Sequence, residues 1–252
     1  VFPVPLALLF ITRTVRRGRW ADALPTAVFL ALIGIARWQL LLMSAPLIML
    51  YALFLLWQHR ENLRRSLSRL IPAALLALML MLPLALPLIR DQLAQGESNS
   101  AALAESPLVT VTDAFAYFFP SWLYERLFSE YATPLAADLL NLPAYSLIAA
   151  GSFYVPFVGF ATLTLALLAL FSRKTTVYFW LTAAMLYIAF ALGNPLAITG
   201  TLYEAVPMPY RLLDGSAIDA VLRRPHRLNI FLSLPVAMLV GYGVTWVLGR
   251  NG

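Results

Sequence analysis

The chain has 252 residues, of which 61% are hydrophobic and only 12% are charged, and its mean hydropathy is +0.79. Soluble domains carry about a quarter charged residues, so a water-soluble fold of this size could not bury so much apolar surface. The net charge is +6, but the basic residues lie scattered at the ends of apolar segments, which excludes a nucleic-acid-binding face. We expect an all-α, polytopic transmembrane helix bundle, located as a multi-pass protein in the plasma or inner membrane.

The chain has no cysteine, which excludes disulfides and thiolate metal sites. Its two histidines, His59 and His226, fall outside the middle of the apolar runs, where a pigment-binding or electron-carrying bundle would place axial ligands. We therefore expect neither a cofactor nor a metal site.

The first apolar run, residues 1–11, is too short to cross a membrane and has neither a charged leading segment nor a cleavage site. We interpret it as the tail of a helix and expect the chain to be the C-terminal part of a larger protein.

Further apolar runs approach the roughly 20 residues that cross about 30 Å of hydrocarbon as a helix. We predict about six full spans and one partial span, all within a single transmembrane domain, residues 1–252. The six predicted spans are residues 23–36, 40–57, 70–89, 152–171, 176–193 and 228–248.

Charge predicts the orientation of these spans. If residues 13–19 are cytoplasmic and the sides alternate, the cytoplasmic segments hold 11 basic residues against two acids, and the other side holds seven basic residues against ten acids. Two extracytoplasmic loops follow, residues 90–150 and residues 194–227. Residues 91–106 are expected to be loop, and residues 107–143 to form short interfacial helices.

Five stretches of sequence around these loops carry a family resemblance. They are residues 112–121, 179–194, 207–213, 222–228 and 241–243. Their order resembles the C-terminal half of bacterial membrane glycosyltransferases of the GT-C type. The resemblance spans roughly residues 70–245.

The resemblance implies transfer of a sugar from a polyprenyl-phosphate carrier, as substrate, on the extracytoplasmic face. In that family the catalytic Asp or Glu usually lies in the first extracytoplasmic loop, near the N-terminus, a region that we expect to lie outside this C-terminal part. The resemblance therefore supplies a possible phosphate site and no catalytic base. Whether the chain is an enzyme stays open.

The phosphate site is expected in the run Leu222-Arg-Arg-Pro-His-Arg-Leu228. Guanidinium forks bind phosphate oxygens bidentately, and a helix N-terminus favours anions. Arg223, Arg224 and Arg227 are the candidate ligands, and His226 could donate a further hydrogen bond. The alternative is that these arginines reach lipid phosphates and only anchor the span.

Three further positions have two interpretations each. Arg211 is either a second clamp on the phosphate or the ion-pair partner of Glu204 or Asp214. Asp113 is either a weak catalytic candidate or a first-turn helix residue capped by Thr112. The aromatic residues Tyr117 and Trp122 either stack on a sugar or lie at the interface.

A second class of function competes with the transferase. The chain could be a non-catalytic structural or accessory subunit of a larger membrane complex, in contact with membrane lipids and other membrane subunits but with no nucleic acid. A transporter is disfavoured because no predicted span carries a charge near its middle.

Overall fold

The computed structural model describes residues 3–99, 111–120, 156–198, 201–214, 216, 218, 222 and 224–249. The chain divides into two compact units, Val1–Ala102 and Leu103–Gly252. The boundary falls within the predicted loop 90–150. Most of the described residues are helical, as the sequence predicts. The C-terminal unit also contains a two-stranded sheet, which lies between two of its helices in chain order.

Residues 3–99 of the N-terminal unit form four α-helices joined by very short links. They are α1 (Pro3–Arg17), α2 (Trp20–Ala36), α3 (Trp38–Gln58) and α4 (Leu63–Asn99). Gly18 joins α1 to α2 with a φ of 58°, a left-handed conformation that favours glycine. Arg37 alone separates α2 from α3, in an extended conformation.

Small residues form the core between α2 and α4. A buried cluster contains five alanines and one methionine: Ala23, Ala27, Ala31, Ala73, Ala77 and Met81. The three alanines of α2 recur every four residues and therefore lie on one face of the helix. Because alanine side chains are short, the two helices approach closely, as small residues allow in membrane helix pairs.

The two N-terminal arginine blocks meet at one end of this unit. Ser66 Oγ donates to the carbonyl oxygen of Val15 at 3.4 Å, and Arg65 Nη2 donates to that of Gly18 at 3.4 Å. The Arg69 guanidinium lies over the Trp20 ring, 4.7 Å from its centroid. We call residues 13–19 and 60–69 together the arginine end. The alternation of the predicted spans also predicts that both blocks lie on the same side of the membrane.

The described residues of the C-terminal unit form three helices and a hairpin. The helices are α5 (Phe160–Leu168), α6 (Thr175–Ala191) and α7 (Asn229–Gly249). The antiparallel hairpin consists of β1 (Leu196–Ile198) and β2 (Thr201–Tyr203). The same described ranges also contain four 3-10 turns: Ala114–Tyr117, Ala169–Ser172, Pro209–Leu213 and Pro225–Leu228.

Helix α7 packs against both α5 and α6. It approaches α5 closely at Gly243, where a Cβ would overlap the backbone carbonyl of Leu165. Further along α7, Trp246 stacks on Phe171, with ring centroids 5.3 Å apart. Glycine is thus required at position 243 because a side chain there would separate two helix backbones.

Three described helical segments have the length and apolar character of a membrane span: Trp38–Gln58, Arg60–Leu84 and Pro225–Gly249. Three other apolar segments have only 10–17 residues: Trp20–Ala36, Phe160–Ser172 and Thr175–Ala191. At 1.5 Å per residue, 17 residues extend only about 26 Å. The expected count of six full spans is therefore not supported, although all six predicted runs overlap helices.

Several predicted boundaries are also wrong. Helix α1 continues through Arg13 to Arg17, and α4 continues to Asn99, so residues 91–99 are helical rather than loop. The helix predicted for 152–171 begins only at Phe160; residues 152–155 lie outside the described residues. The interfacial helices predicted for 107–143 also lie outside the described residues, except 111–120, which contain one 3-10 turn.

Candidate lipid-phosphate site

The predicted phosphate ligands lie on a turn that leads directly into α7. Pro225–Leu228 is a 3-10 turn that continues into α7 without a break, and Arg224 precedes it as the N-cap residue. Pro225 is buried, whereas the side chains of Arg224, His226 and Arg227 are partly exposed. We call residues 224–228 the arginine turn. Arg223 lies outside the described residues.

Gly193 joins the arginine turn to the segment 111–120. It follows the end of α6 with a φ of 74°. A Cβ at this position would overlap Val111 Cγ1 and lie 3.3 Å from Pro225 Cγ. Val111 and Pro225 therefore both pack against this glycine at the position that a side chain would occupy. The positive φ and these two contacts each require glycine at position 193.

A buried polar network holds the same end of the unit together. Tyr117 Oη donates to Asn229 Oδ1 at 2.6 Å, and Asn229 Nδ2 donates to Thr112 Oγ1 at 2.8 Å. The backbone N–H of Thr112 donates to the carbonyl oxygen of Ala191 at 3.2 Å. All three side chains are at least 92% buried, so the hydrogen bonds form where water does not compete.

Asp113 acts as a cap in this structure. It is the N-cap of the turn Ala114–Tyr117, and its Oδ1 accepts a hydrogen bond from the backbone N–H of Phe115 at 2.9 Å. The capping interpretation is therefore correct in kind but wrong in detail: Asp113 itself caps, whereas Thr112 bonds to Asn229. Asp113 is 8% exposed and bridges to Ala197 of β1.

Arg211 does not form the expected ion pair. Within residues 201–214, its side chain is exposed and pairs with neither Glu204 nor Asp214. Asp214 Oδ2 instead accepts a hydrogen bond from Asn194 Nδ2 at 2.9 Å. The turn Pro209–Leu213 that carries Arg211 packs against α6, so Arg211 belongs to the same unit as the arginine turn.

The structure thus brings Asp113 and the arginine turn to one end of the C-terminal unit, on either side of Gly193. It does not give Tyr117 the exposed ring that stacking on a sugar requires, because Tyr117 is 8% exposed. Trp122 lies outside the described residues. This end of the C-terminal unit therefore presents cationic and hydrogen-bond-donating side chains at the start of a long apolar helix.

Sequence reasoning missed Asn229, the residue on which the network depends. The only signal is a polar amide immediately before the apolar run 230–240. Buried polar residues in membrane helices usually find partners, so an amide at this position indicates a structural or functional contact. Its partners are 112 and 117 positions away along the chain and could not be identified from spacing.

Comparison with protein-family models, with curated proteins and with solved structures finds no match to this chain.

Proposed function

We propose that this protein is a multi-pass membrane protein of the GT-C-like kind that binds a polyprenyl-phosphate sugar carrier. The phosphate binds at the arginine turn, and the polyprenyl chain lies along apolar helix surface. One observation carries the proposal. Arg224 precedes the continuous apolar helical segment Pro225–Gly249, and His226 and Arg227 lie in its first turn. This is the end of the unit that the Thr112–Asn229–Tyr117 network fixes.

The chemistry of the arginine turn supports a phosphate ligand. Each guanidinium offers a planar fork of donors that matches two phosphate oxygens, and His226 adds an imidazole donor. The start of a helix presents backbone N–H groups and the positive end of the helix dipole. A membrane surface strengthens these contacts because water competes less there.

The rigidity of the surroundings supports a specific site over simple anchoring. An arginine that only anchors a span needs no fixed backbone, because its long side chain finds a lipid phosphate from many positions. Here Pro225 is buried against Gly193, and the next helical turn is tied to Thr112 and Tyr117 through Asn229. Such support reduces the ordering cost of binding.

In the proposed reaction, an acceptor hydroxyl attacks the anomeric carbon of the sugar, a carbon–oxygen bond forms, and the bond to the carrier phosphate breaks. The arginine turn stabilises the negative charge that develops on the departing polyprenyl phosphate. The base that takes the hydroxyl proton is a carboxylate outside this chain. The chain itself therefore contributes binding and stabilisation of the leaving group.

A binding and transfer assay tests the proposal. Wild-type protein in detergent should retain polyprenyl phosphate in native mass spectrometry, and Arg227→Ala should lower retention at least about tenfold, because charged hydrogen bonds contribute about 1.5–3 kcal/mol each. Arg227→Lys should recover part of the binding, because it keeps the charge but loses the fork.

The matched control is Arg173→Asn, which removes an exposed arginine from the turn between α5 and α6. Asparagine tolerates the positive φ of 52° at this position. Retention should match that of the wild type. Equal retention by Arg227→Ala, or equal transfer from a labelled polyprenyl-phosphate sugar, would overturn the proposal.

The environment of Asp113 favours a second function. In it, the chain is a non-catalytic accessory subunit that only holds the lipid. Its carboxylate is buried and accepts the capping hydrogen bond from Phe115, whereas a catalytic base must reach the substrate. If Arg227→Ala abolishes binding while transfer from the labelled carrier is unchanged, the chain holds the lipid without taking part in the reaction.

A further inference from the structure

The arginine end of the N-terminal unit is the strongest feature that the proposed function does not use. It gathers eight arginines from two segments that are about 50 positions apart in the sequence: Arg13, Arg16, Arg17, Arg19, Arg60, Arg64, Arg65 and Arg69. The hydrogen bonds from Ser66 to Val15 and from Arg65 to Gly18 bring the two segments together. The convergence is therefore a product of the fold.

The positive charge at this end is poorly neutralised by the protein. Glu61 is the one carboxylate within residues 13–19 and 60–69, and Asp22, which is 8% exposed, lies three positions after Arg19. Within residues 3–99, neither carboxylate forms an ion pair with any of the eight arginines. Five of the arginines are exposed, and their side chains form no hydrogen bond within that range: Arg16, Arg17, Arg19, Arg60 and Arg64.

A second, independent feature indicates that this end lies at the level of lipid headgroups. Two tryptophans lie at the ends of apolar helices here, Trp20 at the start of α2 and Trp57 next to the end of α3, and they are 55% and 63% exposed. Tryptophan is enriched at both membrane–water interfaces. The Arg69 guanidinium over Trp20 adds a cation to this aromatic position.

We propose that the arginine end is a binding surface for the phosphates of anionic phospholipids, which it concentrates around the N-terminal unit. Clusters of four to eight basic residues beside a membrane span attract anionic lipids, and each arginine adds to the affinity. Arg65 and Arg69 are held by contacts within the protein and shape the surface, whereas the five exposed arginines contact the lipid. This inference does not depend on the function proposed for the C-terminal unit.

Lipid selectivity measured on the reconstituted chain tests this surface. The full chain is placed in vesicles of phosphatidylcholine and phosphatidylglycerol, with bromine on the acyl chains of one lipid at a time. Quenching of tryptophan fluorescence then reports which lipid surrounds the protein. Brominated phosphatidylglycerol should be enriched over brominated phosphatidylcholine by about fivefold or more at low salt, and the enrichment should fall as salt screens the charges.

Two double variants with the same loss of charge locate the effect. Arg16→Gln with Arg64→Gln removes exposed arginines of the arginine end, and the enrichment should fall at least about threefold. Arg37→Gln with Arg90→Gln removes two exposed arginines elsewhere on the same unit and should leave the enrichment within about 1.5-fold of the wild type. Neither pair includes a residue that holds the helices together.

The outcomes separate this inference from the proposed function. Arg227→Ala should keep the enrichment of phosphatidylglycerol, and the Arg16/Arg64 variant should keep retention of polyprenyl phosphate. No selectivity in the wild type, or an equal loss in both double variants, would overturn the proposal, since the effect would then be absent or due to net charge alone.

Discussion

The two units use buried polar groups in different ways. In the N-terminal unit, the Thr26 hydroxyl donates to the carbonyl oxygen of Asp22 in its own helix at 3.0 Å and lies 3.2 Å from Thr14 Oγ1. In the C-terminal unit, Asn229 instead bonds to Tyr117 and Thr112, more than 100 positions away along the chain. The N-terminal unit thus bonds buried hydroxyls to backbone carbonyls, as Thr26 does to Asp22 and Ser66 does to Val15, whereas the C-terminal unit links three buried side chains from distant segments.

This difference shows where specific function is expected. Helices that pack through alanines and bond their buried hydroxyls to backbone carbonyls form a scaffold. The network of the C-terminal unit ties Thr112 and Tyr117 to Asn229 at the start of α7. It therefore fixes the position of the arginine turn, which leads into α7. The following changes test that contrast, in order of decreasing expected effect.

Gly243→Ala should have the largest effect. The added methyl group would overlap the carbonyl oxygen of Leu165, and because both partners are backbone, α5 and α7 must separate. We expect a loss of about 3 kcal/mol in the free energy of unfolding. Thermal unfolding in detergent, followed by circular dichroism, measures it.

Gly241→Ala is the matched control for this change. It lies on the same helix two residues earlier, with nothing within 4 Å of its added Cβ. It should be neutral or stabilise by up to about 1 kcal/mol, since alanine is the better helix former. Equal destabilisation by both substitutions would mean that the close helix contact at Gly243 is not important.

Asn229→Ala should lower the free energy of unfolding by about 2 kcal/mol, because it leaves the buried hydroxyls of Tyr117 and Thr112 without this partner. It should also weaken polyprenyl-phosphate retention, since the arginine turn loses its support. Asn229→Leu serves as a second variant that keeps the volume. Unchanged retention in a folded Asn229→Ala protein would show that the network does not support the phosphate site.

Ala73→Leu tests the alanine core of the N-terminal unit and should cost about 1–2 kcal/mol, because the larger side chain has no room between α2 and α4. Ala74→Leu, the exposed neighbour on the same helix, should change the stability by less than about 0.5 kcal/mol. Polyprenyl-phosphate retention should survive in both variants. Loss of retention in Ala73→Leu, with the fold intact, would contradict the division of roles between the units.

Thr26→Val should have the smallest effect, below about 1 kcal/mol. The change removes one hydroxyl, but the Thr14 hydroxyl can then turn to a carbonyl of its own helix, as threonines commonly do. A double-mutant cycle with Thr14→Val should give a small coupling energy, whereas a cycle between Tyr117→Phe and Asn229→Ala should give a large one. Equal coupling energies would remove the contrast between the units.

Hydropathy alone predicted the helices of the most apolar runs. The expected spans 23–36, 40–57 and 228–248 match α2, α3 and α7 to within three residues at each end. It failed where helices continue through polar residues, as α1 does through Arg17 and α4 does to Asn99. Arginine, glutamine and glutamate are good helix formers, so a polar run marks the limit of the apolar segment rather than the end of the helix.

The candidate site was only partly accessible to sequence reasoning. The arginine turn stood out because its charges precede an apolar run, and Asp113 because an acid follows a threonine. The hairpin at 196–203, the role of Gly193 and the partners of Asn229 depend on contacts between distant segments. Hydrophobic periodicity records which residues are apolar and carries no information about such pairings.

Cross-linking with a photoactivatable polyprenyl phosphate tests the central claim most directly, because it reports which unit the lipid phosphate contacts. With the reactive group placed next to the phosphate, the account predicts labelling of the peptide that contains Arg224–Arg227 and loss of that label in Arg227→Ala. Labelling confined to the peptides of residues 13–19 and 60–69, or unchanged labelling in the variant, would contradict it.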